Sequence, residues 1–473
     1  MALKSRNQLT SSKHMIIARF ISIFMVISLL LTSFTACKSE DGNTLTNEKL
    51  TDKEMEDVNN NSNQTNELSV APTQYDKLVD GVGGISYIEG GVKYFGIINT
   101  NGEIIYSTDK SVTFTAIGKG ATVVHSNSGV PTDIIDNNGK VVATFELEDE
   151  MQLLAYGDGL ALIYFVKDNI STVEHLYGVI DFSGKWVYSL TNLGCSPFSS
   201  WEYNHYAGDG VFAIMTGRWG AGSGGDDFIF LNSNTGDTFF VSRLDTELFQ
   251  FANGVTFASS NTGSFGAIYS DLVNPYPKTN ESEEIELPKY FLLYSDGTYK
   301  EYDMEGKNFG GYSNGYLWYT IPDDKTNVYI EDITSSTNNI FTYSEYPTSA
   351  VRSISFNGDY GLVTLRSNGL YFTLIDKNGN QQFDPIETTS YNSVSGNHWV
   401  VFSNDTIVYS NADKKYCIAN KNGEVMVTDY YTIGAFANGV ATALIYDGKW
   451  GSEQVWLYIN TNGEQVLKTG KKS

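Results

Sequence analysis

The stretch Asp376-Lys377-Asn378-Gly379-Asn380, followed by Asp384 and Glu387, spaces oxygen-bearing side chains as a helix-flanked calcium loop does. Its glycine is the fourth residue, whereas the sharp turn of a calcium loop needs glycine at the sixth. Glycine at the fourth is what a tight hairpin needs, so the stretch reads as a turn and no metal site is assigned. After the N-terminal segment four histidines remain, His125, His175, His205 and His398. None has a metal-ligating spacing such as two histidines four apart on a helix. No serine sits in the strand–turn–helix context of an acyl-transfer nucleophile. No glycine-rich loop opens a helix to cradle a phosphate, and no cofactor is expected. Paired carboxylates could support a polysaccharide hydrolase or lyase. The 55 acidic residues are spread too evenly to select a pair, so that reading stays as the alternative and no catalytic residue is assigned. Binding is the favoured chemistry. Trp201 and Trp219 flank a glycine-rich insertion, Gly220–Asp227, which ends in Asp226-Asp227. These four are the candidate ligand-binding residues, offering indole faces for stacking and carboxylates for hydrogen bonds. Trp186, Trp219, Trp318, Trp399, Trp450 and Trp456 recur on expected strands or hairpin starts, where packing between repeats is the expected role, with Trp201 and Trp219 the ones expected to be exposed.

The elements that must position these residues come from one repeated phrase. An aromatic residue, Gly, two apolar residues, Asn or Asp, two more residues and Gly run in order in Tyr94–Gly102 and again in Tyr177–Gly184. Turn halves of the same kind recur at Asp136–Gly139, Asp376–Gly379, Asn420–Gly423 and Asn460–Gly463. The phrase predicts two strands joined by a turn, which Asn or Asp caps and a left-handed Gly closes. A second phrase precedes each hairpin, clearest in Phe251-Ala252-Asn253-Gly254 and Phe436-Ala437-Asn438-Gly439. Anchored on its glycines, near 81, 120, 159, 210, 254, 315, 358, 396 and 439, the units repeat about every 45 residues, a propeller-blade period.

Each unit is expected to hold an inner strand such as Ala121–His125, a hairpin, and a fourth strand such as Gln152–Tyr156. The fold class is all-β, a propeller of about 8–9 four-stranded antiparallel blades over 72–473. An N-terminal strand, Gln74–Val79, is expected to pair with the last blade and close the ring. An open solenoid arc is the rival. The unit at Gly315 is the suspect one, because its hairpin lacks the Gly turn. Two insertions, Gly220–Asp227 and Asp271–Pro288, are expected on one face, where repeat folds often bind.

Residues 1–36 carry Lys4, Arg6, Lys13 and Arg19, no acidic residue, and an apolar stretch Phe20–Leu31. That stretch is too short to span a bilayer and reads as the core of an export signal, starting at Met1 or Met15. Thr35-Ala36-Cys37 resembles the lipobox of bacterial lipoproteins. The resemblance implies cleavage before Cys37 and attachment of diacylglycerol, with chains such as palmitate, to its thiol. Two chains hold a protein on a membrane where one is marginal. The expected location is the extracytoplasmic face of the cell membrane. Residues 37–71 are acidic and rich in Asn, Thr and Ser, a disordered tether by composition. The net charge of −24 has no basic stripe, which argues against nucleic acid as a partner. Cys195 and Cys417 fall in separate repeats and read as buried free thiols rather than a disulfide framework. A monomer is expected.

Lys449-Trp450-Gly451 followed by Trp456–Glu464, and Arg218-Trp219-Gly220, resemble the WG-repeat family of bacterial surface proteins. Phe95-Gly96 and Tyr177-Gly178 stand where that family has Trp-Gly. The resemblance covers about 81–467 and implies a surface protein that binds a protein, peptide or glycan. It implies no particular activity.

Overall fold

The computed structural model describes residues 70–72, 82–101, 103–145, 151–168, 173–194, 196–197, 204–218, 226–244, 249–260, 268–269, 287–335, 340–389, 400–403, 405–446, 455–466 and 471–472. The signal segment, Cys37 and all of the tether but Val70 and Ala71 lie outside them. No helix among the described residues is long and apolar enough to cross a membrane.

Nine antiparallel sheets follow one another along the chain and form a β-propeller. Blade 2 shows the plan. Its strands Val112–Gly118, Ala121–Ser126, Pro131–Asp136 and Val141–Thr144 pair each with the next. Blades 5 and 9 show three named strands each. Their remaining strand is reduced to single bridges, Ala252 with Val255 in blade 5 and Ile459 with Gln465 in blade 9. Blade 6, the suspect unit, is complete with four strands. Asp332 caps its turn through the N–H and hydroxyl of Thr334, at 2.9 and 2.7 Å.

Two kinds of turn recur through the described blades. The third and fourth strands meet as the repeated phrase predicts. Asp136 Oδ1 accepts from the N–H groups of Asn138 and Lys140, both at 2.9 Å. Gly139, at φ +79°, closes the turn. Asp181, Asn420 and Asn460 repeat the arrangement. In blades 2 to 6 and 9 the first and second strands meet in two-residue turns with positive φ at both positions, as at Asp158 (+50°) and Gly159 (+77°) or Asn438 (+49°) and Gly439 (+77°), whereas in blade 7 only Gly358 (+62°) is positive. Positive φ at both positions is the type I′ geometry, whose twist suits a hairpin and which Asn, Asp and Gly tolerate.

This second turn corrects the expected phase of the blades. The second phrase is itself a hairpin, so the strand before it belongs to the same sheet as the strand after it. Met151–Gly157 pairs with Leu160–Asp168 and opens blade 3 rather than ending blade 2. Opening strands of neighbouring blades touch, Met151–Gly157 against His205–Gly208 and Asn308–Ser313 against Val351–Asn357. The opening strand is therefore innermost, not the strand that follows the glycine. In blade 8 the turn falls at Asp405, φ +58°, rather than near Gly396, which lies outside the described residues.

Packing explains why one unit cannot stand alone. Strand Leu160–Asp168 alternates its partners as a pleated strand must. Ala161 and Ile163 join the core shared with blade 2, while Leu162 and Tyr164 join the core shared with blade 4. The same logic joins the two ends of the array. Ile85, Tyr87, Ile98 and Ile104 of blade 1 share a core with Val440 and Tyr458 of blade 9. The strand expected to close the ring, Gln74–Val79, falls outside the described residues, so the contact seen between the ends is this core. Val70–Pro72 pairs with Val82–Glu89 of its own blade. At the other terminus Lys471–Lys472 pairs in parallel with Glu103–Thr108 of blade 1.

Candidate functional site

An antiparallel meander puts its connections alternately at its two ends. The tight turns between strands one and two, and between three and four, share one end. The opposite end receives the junctions of strands two and three. At that end fall the connections from Val211–Arg218 to Asp226–Asn232, from Val255–Ser259 to Tyr290–Tyr294, and from Val440–Ile445 to Val455–Asn460; within the second, Ile268–Tyr269 pairs with Thr238–Leu244 of blade 4. The connections between blades use that same end.

The opening strands line a channel, and in it lies a cavity of about 730 Å³. Its wall comes from blades 4 to 8, including Tyr206, Gln250 and Asn314 on one side and Val401 and Phe402 on another. Blade 7 contributes most. In Val351–Asn357 the apolar Val351, Ile354 and Phe356 are buried, while Arg352, Ser353, Ser355 and Asn357 are exposed to the channel. Ser353 Oγ and Thr364 Oγ1 lie 2.6 Å apart. Asn357 Nδ2 donates to the carbonyl of Phe402 in blade 8 at 3.2 Å. The described lining includes no Asp or Glu.

Hydrogen bonds between blades hold this wall rigid. Tyr206 donates its phenol proton to Asp158 Oδ2 of blade 3 at 2.7 Å and accepts from Gly210 N at 2.9 Å. Burial and that carboxylate push the Tyr206 phenol well above its ordinary range. Tyr312 repeats the device, donating to the carbonyl of Gln250 at 2.7 Å and accepting from Gly315 N at 3.2 Å. Burial raises its phenol too. Gly254 N donates to Asp209 Oδ2 at 2.7 Å, and Phe356 N donates to Ser313 Oγ at 2.7 Å.

The structure separates the sequence candidates. Trp201 and Trp219 lie outside the described residues. Asp226 and Asp227 are not at a loop tip but open the strand Asp226–Asn232, and Asp226 is only 7% exposed. The pattern that misled is the glycine-rich run before them. The pair faces Arg218 and Gly217 across the ladder, so strand pairing continues further than composition suggests. Neither Asp226 nor Asp227 is among the described residues lining the channel cavity.

Trp186 packs edge-on against Phe145 of blade 2, ring centres 6.5 Å apart, and Trp318 is buried over Gly310 and Gly311. Both are packing residues, as expected. Trp399 and Trp450 lie outside the described residues. Gly178 lies under the Trp186 ring and Gly96 against the carbonyl of Tyr106. A Cβ would meet those atoms at 2.6 and 2.5 Å, which is why Gly follows the aromatic residue there. The described histidines make contacts within the fold, and His398 lies outside the described residues. His125 bonds Thr115 at 3.0 Å, His175 bonds Tyr164 at 2.8 Å, and His205 accepts from Phe249 N at 3.0 Å. Burial lowers the His125 pKa. Cys417 is buried and unbonded to another cysteine, and Cys195 lies outside the described residues.

Asp376 is spent on its own turn. Its Oδ1 accepts from Asn378 N and Asn380 N at 2.8 and 2.9 Å, and its Oδ2 from Asn380 Nδ2 at 2.8 Å. Burial raises its pKa, but these hydrogen bonds outweigh it and hold the carboxyl below its ordinary 3.8. A carboxyl whose folded pKa lies below its unfolded one stabilises the fold fully above the unfolded value. That stabilisation is lost as pH falls through the folded value. Asp376→Asn keeps the cap without the charge, as Asn420 and Asn460 already do. It should therefore leave stability at pH 7 within about 0.5 kcal/mol. The acid-unfolding curve should also become shallower below 3.8. An unchanged acid limb in urea melts at successive pH values would refute this.

No protein-family model matches the chain, and no curated protein sequence matches it. Among solved structures it is similar to BamB from Moraxella catarrhalis, with 12% identity over 83% of this chain and 98% of that one and a TM-score of 0.33. It is also similar to the β-propeller domain of the Trilobed protease from Pyrococcus furiosus, with 9% identity over 69% and 98% and a TM-score of 0.31. A third is Hsv2p from Kluyveromyces lactis, with 12% identity over 74% and 96% and a TM-score of 0.26.

Proposed function

We propose that this chain is an exported, lipid-anchored propeller of the WG-repeat kind that works as an interaction module. It is acylated at Cys37, held away from the membrane by the polar tether, and recognises a protein, peptide or glycan at the extracytoplasmic face. The observation that carries the reading is the channel: a polar cavity of about 730 Å³ with a wall fixed by hydrogen bonds between blades. A preformed concave site with convergent polar groups is what a binding protein presents. The export signal and the Thr35-Ala36-Cys37 sequence supply the address.

Two measurements test the two halves. Wild-type chain should pellet with membranes, and Cys37→Ala should appear in the soluble fraction or persist as the unprocessed precursor. Unchanged processing and sedimentation of the variant would remove the anchor from the reading. Deletion of Asp271–Pro288 should reduce capture of cell-surface material by the immobilised chain. Undiminished capture would exclude that insertion from the binding face.

A further inference from the structure

The chain carries a net charge of −24. Yet the described opening strands of its blades hold only one Lys, Arg, Asp or Glu between them, Arg352. Arg352 is also the one charged residue among the described residues lining the cavity. No carboxylate lies within ion-pair distance of it among the described residues. The opening strands of blades 2, 3, 4 and 6 each carry a bulge, and in blade 7 the bulged residue is this arginine. The register between Val351–Asn357 and Tyr360–Arg366 shifts between Val351 and Ser353, which makes Arg352 the extra residue. Bulges re-aim a side chain out of the pleat.

A lone guanidinium in a half-enclosed, otherwise neutral wall calls for an anion. Its planar fork fits a carboxylate with two parallel hydrogen bonds. The rest of the wall offers hydroxyls and amides, Ser353, Ser355, Asn357 and Thr364, and would leave any further ligand charge unpaired. The backbone narrows the class again. Val351–Asn357 is an edge strand, paired on one side with Tyr360–Arg366; on the other, Phe356 N–H is taken by Ser313 Oγ of blade 6, which leaves the part of the edge nearer Arg352 toward the channel. Such an edge accepts an extended peptide by strand addition.

We infer that the channel binds the C-terminal end of an uncharged peptide, with Arg352 clasping its terminal carboxylate and the edge of blade 7 aligning its backbone. This deepens the binding reading above and rests on it.

The test is calorimetric titration of the full-length chain in detergent with N-acetyl-trialanine as the free acid and as its C-terminal amide. The acid should bind about tenfold or more tighter than the amide, the size of one charge-assisted bidentate pair. Arg352→Gln should abolish that preference without changing the weak affinity for the amide. Arg352→Lys should restore part of it, since an ammonium carries the charge but not the fork. Arg352 is exposed and unpaired, so both variants should melt as the wild type does.

Equal binding of acid and amide would overturn the inference. So would an Arg352→Gln chain that binds the acid normally, or the absence of binding by the acid at millimolar concentration. Digalacturonate provides the remaining arm: Arg352-dependent binding of it in place of the peptide would assign the site to sugar acids instead. If the peptide fails while capture of cell-surface material persists, the ligand class alone falls. If both fail, the binding reading falls with it.

Discussion

Gly139→Ala should destabilise the propeller by about 2–5 kcal/mol, although it adds one methyl group at a surface turn. Two separate costs add. Gly139 holds φ +79°, and the left-handed conformation costs a residue with a Cβ about 1–2 kcal/mol. A Cβ there would also stand 1.7 Å from the carbonyl oxygen of Ile105 in blade 1. Backbone cannot swing aside as a side chain can, so blades 1 and 2 must separate locally, an overpacking cost of about 1–3 kcal/mol. Gly439→Ala is the matched control. Its φ is +77° but nothing lies within 4 Å of its Cβ position, so only the first cost applies. The urea midpoint followed by tryptophan fluorescence should fall much further for Gly139→Ala. Equal shifts would mean that the turn glycines serve their own hairpins and nothing else. The contact recurs around the ring. A Cβ at Gly184 would meet the carbonyl oxygen of Val142 at 2.7 Å, and one at Gly379 that of Thr342 at 2.5 Å. The hairpin signature is thus also the signature of contact with the preceding blade.

That double duty explains what could be read in advance. The turns at Asp136, Asp376, Asn420 and Asn460 are legible because the chemistry is local. A short side chain must reach two amides within four residues, and one position must be left-handed. The phase of the blades is less legible. A chain of strand, turn, strand, turn looks alike whichever strand is taken as the first. The discriminating clue was present in Asp158-Gly159, Asn253-Gly254 and Asn314-Gly315, pairs that suit the two-residue turn with positive φ at both places. Taken as the start of a unit they displace the inner strand by one; taken as its first hairpin they place it correctly. Trp201, Trp219, Asp226 and Asp227 stand out by nearness to an insertion, whereas the described lining of the cavity comes mostly from opening strands. Arg352 becomes conspicuous only once those strands are identified, because its distinction is to be charged where its counterparts are neutral. The contact between the two ends of the array was illegible for another reason: Tyr458 and Gly84 are 374 positions apart, and no local pattern reports such a contact.

Tyr458→Ala should cost about 3–5 kcal/mol, the usual penalty for emptying a buried aromatic site. Its structural consequence should be confined to one joint. Tyr458 is 1% exposed and packs among Ile85, Tyr87, Ile98, Ile104 and Val440. Its hydroxyl donates to the carbonyl of Gly84 at 2.9 Å. That core is where the last blade leans on the first, and the described residues join the two blades there by side chains rather than by a shared sheet. Emptying it should raise amide hydrogen exchange in Val82–Glu89 and Val92–Asn99 of blade 1 and in Val440–Ile445 of blade 9. Tyr177→Ala, at an equally buried position, should loosen blades 3 and 4 instead, since Tyr177 packs with Phe212 and Ile229. Tyr458→Phe separates the two contributions. It keeps the ring's volume and removes only the hydroxyl, for about 0.5–1.5 kcal/mol, and should leave exchange in blade 1 nearly unchanged. If Tyr458→Ala left exchange in Val82–Glu89 at its wild-type level, side-chain packing would not be what holds the two ends together. The strand Lys471–Lys472 on the outer edge of blade 1 would then be the feature to remove next. If exchange rose evenly through all the blades, the propeller would open as one cooperative body rather than joint by joint. A repeat fold whose units touch only their neighbours is expected to open joint by joint.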